Sequence, residues 1–443
     1  MSDPTLPLMS QRDEDPEDPS PVVGPTRPRL LKVLGPGLVT GASDDDPSGI
    51  ATYSQAGAQF GYGLAWTLLL SYPFMAAVQM ISARIGRTTG HGIAGVLRLH
   101  YPGWMLQIVV MLLLVANIIN LGADLGAMAD AFSLVLPAPH FLYILLFAAI
   151  SIFMQLFLQY TRYVAVLKWL TLVLFAYFVT LTVVHVDWAA LAYRLVVPPL
   201  RWDSGYLFTL VAIFGTTISP YLFFWQAAEE VEDMHVHPRR IDLFDAPGQG
   251  RAALHRIEID TLVGMAFSNI VALAILVTTA ATLNVAGITS IETSAQAAEA
   301  LRPIAGNFAF LTFSLGVVGT GLLAVPVLAG SAAYAIGEAR QWPTGLSRRP
   351  KEAQAFYATL VLATLVGMIL NFTPIDPIRA LYGSAVINGI VAVPVMAVMM
   401  RIASRTDIMG EFVLPRSLTW LGWGGTLLMT VIVVGMLLSL VPG

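Results

Sequence analysis

Cysteine is absent from all 443 residues, which excludes disulfides, zinc knuckles, iron–sulfur clusters and every other thiolate metal site. Charge is scarce as well. Asp, Glu, Lys and Arg make up 12% of the chain, about half of what a soluble domain carries. So few charges cannot cover a water-facing surface, and lipid has to be the solvent for most of the chain. The net charge of -4, with no basic cluster, argues against nucleic acid as a partner. Two signatures of intramembrane enzymes are also missing: there is no His-Glu-x-x-His helix and no Gly-x-Gly-Asp aspartate pair, so no enzyme is expected. Nor is there a signal-peptide pattern or a soluble domain. Residues 1–29 are Pro-rich and acidic (Asp13, Glu14, Asp15, Glu17, Asp18), which reads as a disordered cytoplasmic tail.

What the chain has in abundance is apolar length: 56% of it is hydrophobic and its mean hydropathy is +0.71. A spanning helix needs roughly 20 apolar residues, and stretches of that kind fall at 34–60, 63–86, 104–133, 140–158, 163–184, 205–232, 258–284, 306–338, 354–371, 377–402 and 420–441. The expected fold is therefore an all-α polytopic membrane protein of about eleven spans. Seventeen Lys and Arg residues fall in one set of connecting segments. The other set holds only Arg194, Arg201, Arg302 and Arg379. By the positive-inside rule the N-terminus is expected inside an inner (plasma) membrane and, with an odd span count, the C-terminus outside. The segment 233–257 is expected to be the longest inner loop. It holds His235, His237 and His255 among arginines, and a solvated loop is a plainer reading than a metal site.

Two spans carry interruptions. The first runs through Asp44-Asp45-Asp46-Pro47-Ser48-Gly49, the sixth through Gly215-Thr216-Thr217-Ile218-Ser219-Pro220. Neither half of either span is long enough to cross alone, so these polar Pro/Gly segments are expected near mid-membrane, where bare backbone is tolerated only if it lines a protein cavity. Paired breaks five spans apart point to two five-helix repeats of inverted topology, with the binding site between the breaks. The expected divisions are a first repeat over 30–184, a second over 205–402, and a link with an eleventh helix over 403–443.

The triple aspartate is good turn chemistry in a soluble protein. Between membrane-grade flanks an intramembrane carboxylate is functional by default. Three clustered carboxylates repel one another and need a cation or protons, and the negative end of the first half-helix draws a cation too. Asp46 is expected to line an ion site; Asp45 joins it or, with Asp44, forms a funnel to it. The facing break offers the carbonyls of Thr216 and Thr217 and the Ser219 hydroxyl, with Gln226 further on, all oxygen donors. Asp124, preceded by Asn117 and Asn120, gives the third span a polar stripe. Interhelical hydrogen bonding is the alternative there, as it is for Asn269 and Asn388. Glu229, Glu230, Glu232 and Asp233 read as a solvated face, with lining of the inner exit as the alternative.

At the two breaks the chain resembles the Nramp family of divalent metal transporters, which has a first-helix Asp-Pro-Gly-Asn and a sixth-helix Met-Pro-His on a LeuT-like fold. The matching residues are Asp46-Pro47-Ser48-Gly49 and Ser219-Pro220-Tyr221, with Gly35-Pro36-Gly37 and Ala51-Thr52-Tyr53-Ser54-Gln55-Ala56-Gly57 fitting the flanks. The likeness runs over about residues 30–405. It implies that Asp46 keeps the family's metal-binding aspartate, that Gly49 stands for its asparagine ligand and Ser219 for its methionine, and that the sixth-helix carbonyl falls on Thr216. Tyr221 stands where the family's proton-linked histidine would be, and Ala127 where the glutamate of its third-helix Asp-x-x-Glu would be, Asp124 being kept. This set, with Asp-Asp-Asp-Pro-Ser-Gly and residues 82–102, looks like the Nramp-related magnesium transporter branch.

The resemblance thus implies Mg2+ carriage, with Mn2+ as an accepted second ion, no proton coupling, and no resident cofactor. Chemistry points the same way: thioethers suit softer metals, and Mg2+ wants oxygen and sheds water reluctantly. Exchanging Asn and Met for Gly and Ser removes two ligands and is expected to widen the cavity. The alternatives are a proton-coupled Mn2+/Fe2+ transporter and, on the same fold, an organic-cation or amino-acid carrier. The triple aspartate suits the last poorly.

Overall fold

A computed structural model describes residues 40–41, 43–157, 172–237, 239–373 and 376–440. Among them there is no strand. Residues 40–41 and 43–44 are helical, and the longer helices that follow, eleven of them among the described residues, are α1 (Pro47–Phe60), α2 (Ala65–Thr89), α3 (Gly103–Ser133), α4 (His140–Phe157), α5 (Ser204–Thr217), α6 (Pro220–Val236), α7 (Gly250–Thr279), α8 (Ala309–Arg340), α9 (Gln354–Leu370), α10 (Pro377–Ala403) and α11 (Arg416–Ser439). Among the described residues, eight helical stretches are long and apolar enough to cross a membrane, with Pro47–Thr89 and Ser204–Val236 each counted as one, and the 17-residue α9 is a shorter apolar helix. The tail at 1–29 and residues 163–171 of the expected fifth span, 163–184, lie outside the described residues; the rest of that span includes a short helix at Phe175–Leu181.

The first and sixth spans are discontinuous, as expected, and local chemistry dictates where. Asp46 and Ser219 are the N-caps of α1 and α6, each in extended backbone and each followed by proline at the first helical position, where a missing N–H costs nothing. One boundary differs from expectation. The connection between α6 and α7 spans only 237–249, because α6 runs on to Val236 and α7 begins at Gly250. His255 is therefore helical and not part of a loop.

The helices sort by their neighbours. α7 packs on α1 and α2, and α6 on α2. α3 packs on α4, α8 and α9, and α8 on α9. α5 lies against α10, and α6 also touches α8, along the seam between the two groups. The sixth span is central: 94% of its most apolar stretch is buried, against 33% for α4. Close approach is needed at that centre. A Cβ on Gly215 would lie 2.0 Å from the Ala385 carbonyl of α10, and one on Gly86 would lie 2.3 Å from the Ala227 carbonyl of α6. Small residues let helices approach where lipid supplies no hydrophobic drive.

Candidate functional site at the two helix breaks

Asp46 is 2% exposed. Its Oδ1 accepts the Gly49 N–H at 2.7 Å, so the carboxylate caps its own helix and sits at the positive end of the α1 dipole. Its Oδ2 accepts the Tyr221 hydroxyl at 3.3 Å, and the same hydroxyl reaches the Ser43 carbonyl at 3.2 Å. Tyr221 thereby joins the two breaks. From sequence it stands at the place of the family's proton-linked histidine, as a residue that does not titrate, with no contact expected for it. The available signal was its position two residues after Ser219, in the first turn of α6 facing the other break.

Gly49 is against the sixth span as well: a Cβ there would meet the Thr216 hydroxyl, the Asp44 carbonyl and the Tyr53 ring, each at 3.3 Å. The wider cavity expected from glycine at this position is therefore absent, because neighbouring atoms close over it. Ser219 makes no cap bond to α6. Its hydroxyl turns back instead and donates to the carbonyls of Gly215 and Thr216, both at 2.8 Å. Asp46, Gly49, Thr216, Ser219 and Tyr221 thus come from the two breaks, and all their side chains are oxygen donors or none at all.

Other candidates go elsewhere. Asp44 and Asp45, 1% and 2% exposed, line no funnel. Both turn to Ser268 of α7, whose hydroxyl lies 2.6 Å from Asp44 Oδ2 and 3.3 Å from Asp45 Oδ1. One oxygen of each remains buried without a hydrogen-bond partner. Gln226 lies about two turns along α6 from Ser219. It accepts the Thr40 hydroxyl at 2.5 Å, tying α6 to the first half of the first span. Asp124 is fully buried with neither oxygen hydrogen-bonded, close enough for the charge of Asp46 to act on it. Asn120 and Asn388 are equally buried and unbonded. Asn117 is structural, donating to the Leu328 carbonyl and Ser331 hydroxyl of α8, and Asn269 donates to the Leu68 carbonyl at 2.9 Å.

The expected solvated face on α6 is a correction. Glu229, Glu230, Glu232 and Asp233 are only 1% to 3% exposed. Glu230 pairs with Arg256 at 2.6 Å and Asp233 with Arg240. Glu232 is held by Tyr334 and a loop, and one oxygen of Glu229 has no hydrogen-bond partner. Burying carboxylates beside arginines holds more side chains in place than a periodic sequence can reveal.

A cavity of about 630 Å³ opens at the arginine-poor end, lined by Gln55, Gln59, Phe208, Glu292, Arg379 and Tyr382 among others. Its lining residue nearest Asp46 along α1 is Ala51, about 7 Å further along the helix. Among the described residues no three His, Cys, Asp or Glu side chains converge as a ready-made metal cage. The breaks instead offer one carboxylate, backbone carbonyls and hydroxyls, a set that suits a cation which comes and goes.

The profile of the family described as Natural resistance-associated macrophage protein-like, Nramp, matches residues 37–439. A divalent metal cation transporter, MntH, of Klebsiella pneumoniae (strain 342) is 27% identical over 406 residues, which cover 89% of this chain and 90% of that protein. The crystal structure of a mutant manganese transporter from Eremococcus coleocola has a TM-score of 0.73 at 17% identity, covering 91% of this chain and 86% of that one. Mhp1, a nucleobase-cation-symport-1 family transporter in a closed conformation with bromovinylhydantoin bound, has a TM-score of 0.53 at 13% identity, covering 96% and 95% of the two chains. At such identities these structures speak for the fold alone. That fold is the expected all-α one with broken first and sixth helices.

Proposed function

Since the chain belongs to the Nramp family, we propose that it carries divalent metal cations across the plasma membrane by alternating access, its arginine-rich end facing the cytoplasm. It is a transporter and not an enzyme, in keeping with its family. The observation that carries the proposal is the buried Asp46 carboxylate where the two breaks meet, bridged by Tyr221. Buried carboxylates in that setting need a cation or protons, and the half-helix ends add carbonyls to hold a cation. In the same proposal 30–184 and 205–402 are the two repeats, 403–443 is a link with the last helix, and Asp46, Gly49, Thr216 and Ser219 are the residues around the ion. Asp45 and Asp124 contribute charge from a distance.

Within that class the ion we favour is Mg2+, with Mn2+ accepted and no proton moved. The donors at the breaks are all hard oxygens, and serine stands where a softer metal would find a thioether. Tyrosine at 221 keeps its proton near neutral pH unless strongly perturbed, and alanine at 127 has none to give. An inward-negative potential of 100 mV contributes about 2.3 kcal/mol per charge, so accumulation requires no proton gradient.

A second reading is a proton-coupled Mn2+/Fe2+ transporter. The names of the relatives, a divalent metal cation transporter and a manganese transporter, support it better than they support Mg2+. The buried, unbonded Asp124 is the group through which protons would then pass. One assay separates the two: purified protein in liposomes, a metal indicator and a pH dye in the lumen, and the potential clamped with potassium and valinomycin. Millimolar Mg2+ influx without acidification is the expected result. Tight Mn2+ uptake that acidifies the lumen, is indifferent to millimolar Mg2+, and loses its acidification in Asp124→Asn replaces it with the second reading.

A further inference from the structure

The two ends of the bundle are built differently. At the arginine-poor end the 630 Å³ cavity is crossed near its mouth by the exposed Arg379–Glu292 pair at 3.8 Å. At the arginine-rich end a single buried carboxylate, Glu232, gathers three donors. It lies on α6, 3% exposed, and accepts the Tyr334 hydroxyl of α8, the Leu346 N–H at 3.0 Å and the Ser347 N–H. Consecutive backbone N–H groups wrapped round an anion form a concave nest. Gly345 makes the wrap possible: its φ is +136°, and a Cβ there would lie 3.1 Å and 3.3 Å from the two carboxylate oxygens.

What the nest connects matters more than the nest itself. Residues 341–353 join α8 to α9, and Tyr357 of α9 holds the same segment through the Arg348 carbonyl at 2.8 Å. Tyr334 packs against Trp225 of α6 and Phe356 of α9. Glu232 therefore reaches from the α1–α2–α6–α7 group to the α3–α4–α8–α9 group. Its neighbours Glu230 and Asp233 pair with Arg256, on α7, and Arg240, just before it, and so bind their own group. Glu338 of α8 makes a second tie, accepting the N–H groups of Gly92 and Gly95 at 3.0 Å and 2.9 Å at the start of the short helix Ile93–His100 that links α2 to α3.

We propose that Glu232 is a positioning residue of the transport cycle: a latch that holds the arginine-rich end shut while the opposite cavity is open, and whose release from the 344–347 segment lets the two helix groups separate there. This rests on the carrier reading, in which one group moves against the other around a fixed site. A carboxylate in a nest suits the task because its bonds form or are lost together, which gives two states instead of a graded loosening.

The chain has no cysteine, so spin labels can be placed cleanly. One pair, Arg251→Cys with Arg340→Cys, puts exposed labels on α7 and α8 at the arginine-rich end. A second, Val285→Cys with Phe372→Cys, sits at the other end, where the two side chains are 78% and 60% exposed. In Glu232→Gln the first distance is expected to gain a longer population and the second a shorter one. Broadening of the first pair with no change in the second would reduce Glu232 to a structural tie, and unchanged distributions in a folded variant would overturn the latch outright. Tyr334→Phe removes one donor only and should shift both distances the same way by less. If Glu232→Gln does not fold, unchanged distances in Tyr334→Phe overturn the proposal. These distances are read without any metal, so the outcome is independent of which ion the liposome assay finds.

Discussion

The first and sixth spans are interrupted by the same device, an extended N-cap followed by proline, yet the two breaks differ in how many polar ties secure them. At the first, polar contacts are numerous: Asp46 on Gly49 and Tyr221, Asp44 and Asp45 on Ser268, Thr40 on Gln226, with Gly41 also packed against the Gly264 backbone. At the sixth, close backbone packing does the work, with Gly215 against Ala385 on one side and Gly86 against Ala227 on the other, while the Ser219 hydroxyl bonds back to its own span. The difference teaches a division of labour. In the proposed carrier the first break supplies charge on a segment with many polar ties, and the sixth supplies oxygens on closely packed backbone.

The largest effect expected from this comparison is at Asp46. Asp46→Ala removes the charge from the first break and should abolish metal flux in liposomes while the protein still elutes as a folded species. Asp46→Asn should fail as well, since the amide keeps the shape but not the charge. Wild-type flux in either folded variant would move the site away from the first break.

Stability should divide the breaks the other way. Gly215→Ala forces a methyl group to within 2.0 Å of a carbonyl oxygen and should cost about 1–3 kcal/mol, the usual range for overpacking. Gly49→Ala, with its nearest contacts at 3.3 Å, should cost clearly less. Thermal unfolding in detergent compares them, and equal losses would contradict the close-packing account of the sixth break.

Selectivity needs both breaks together. Ser219→Met with Gly49→Asn restores a thioether and an amide, and the Mn2+ to Mg2+ flux ratio should rise by about tenfold, more than the two single changes predict, because residues around one ion couple. The tight surroundings of Gly49 make that half the harder to accommodate. An unchanged ratio in a folded double variant counts against these positions as ion contacts.

The smallest effect is expected at the bridge. Tyr221→Phe loses hydrogen bonds to Ser43 and Asp46 worth about 1 kcal/mol, so Mg2+ flux should fall by a few-fold, with the pH response unaltered. A complete loss of flux would make Tyr221 as essential as Asp46.

Much of this architecture is legible from residue order because the bilayer imposes local rules. Apolar length sets the spans, and backbone in lipid must satisfy itself, so Asp-Pro-Ser-Gly and Ser-Pro inside apolar runs could only be broken helices facing protein. Asp46, Thr216 and Ser219 follow from that argument, and family membership from the same motifs.

What residue order could not supply is direction. Gln226 looked like an ion contact until α6 turned it toward Thr40. Asp44 and Asp45 are inseparable from Asp46 in sequence, yet they point to α7. Four acids on α6 read as solvated, because their partners Arg240, Arg256 and the 344–347 segment lie up to 115 residues away. Only packing decides which face of a helix meets which neighbour, since side chains three or four apart share a face and the rotation of that face is set by other helices. The chain's own order thus determined where the helices break and what chemistry stands there. The tertiary structure decided which of those groups meet at the breaks and which pair at the arginine-rich end.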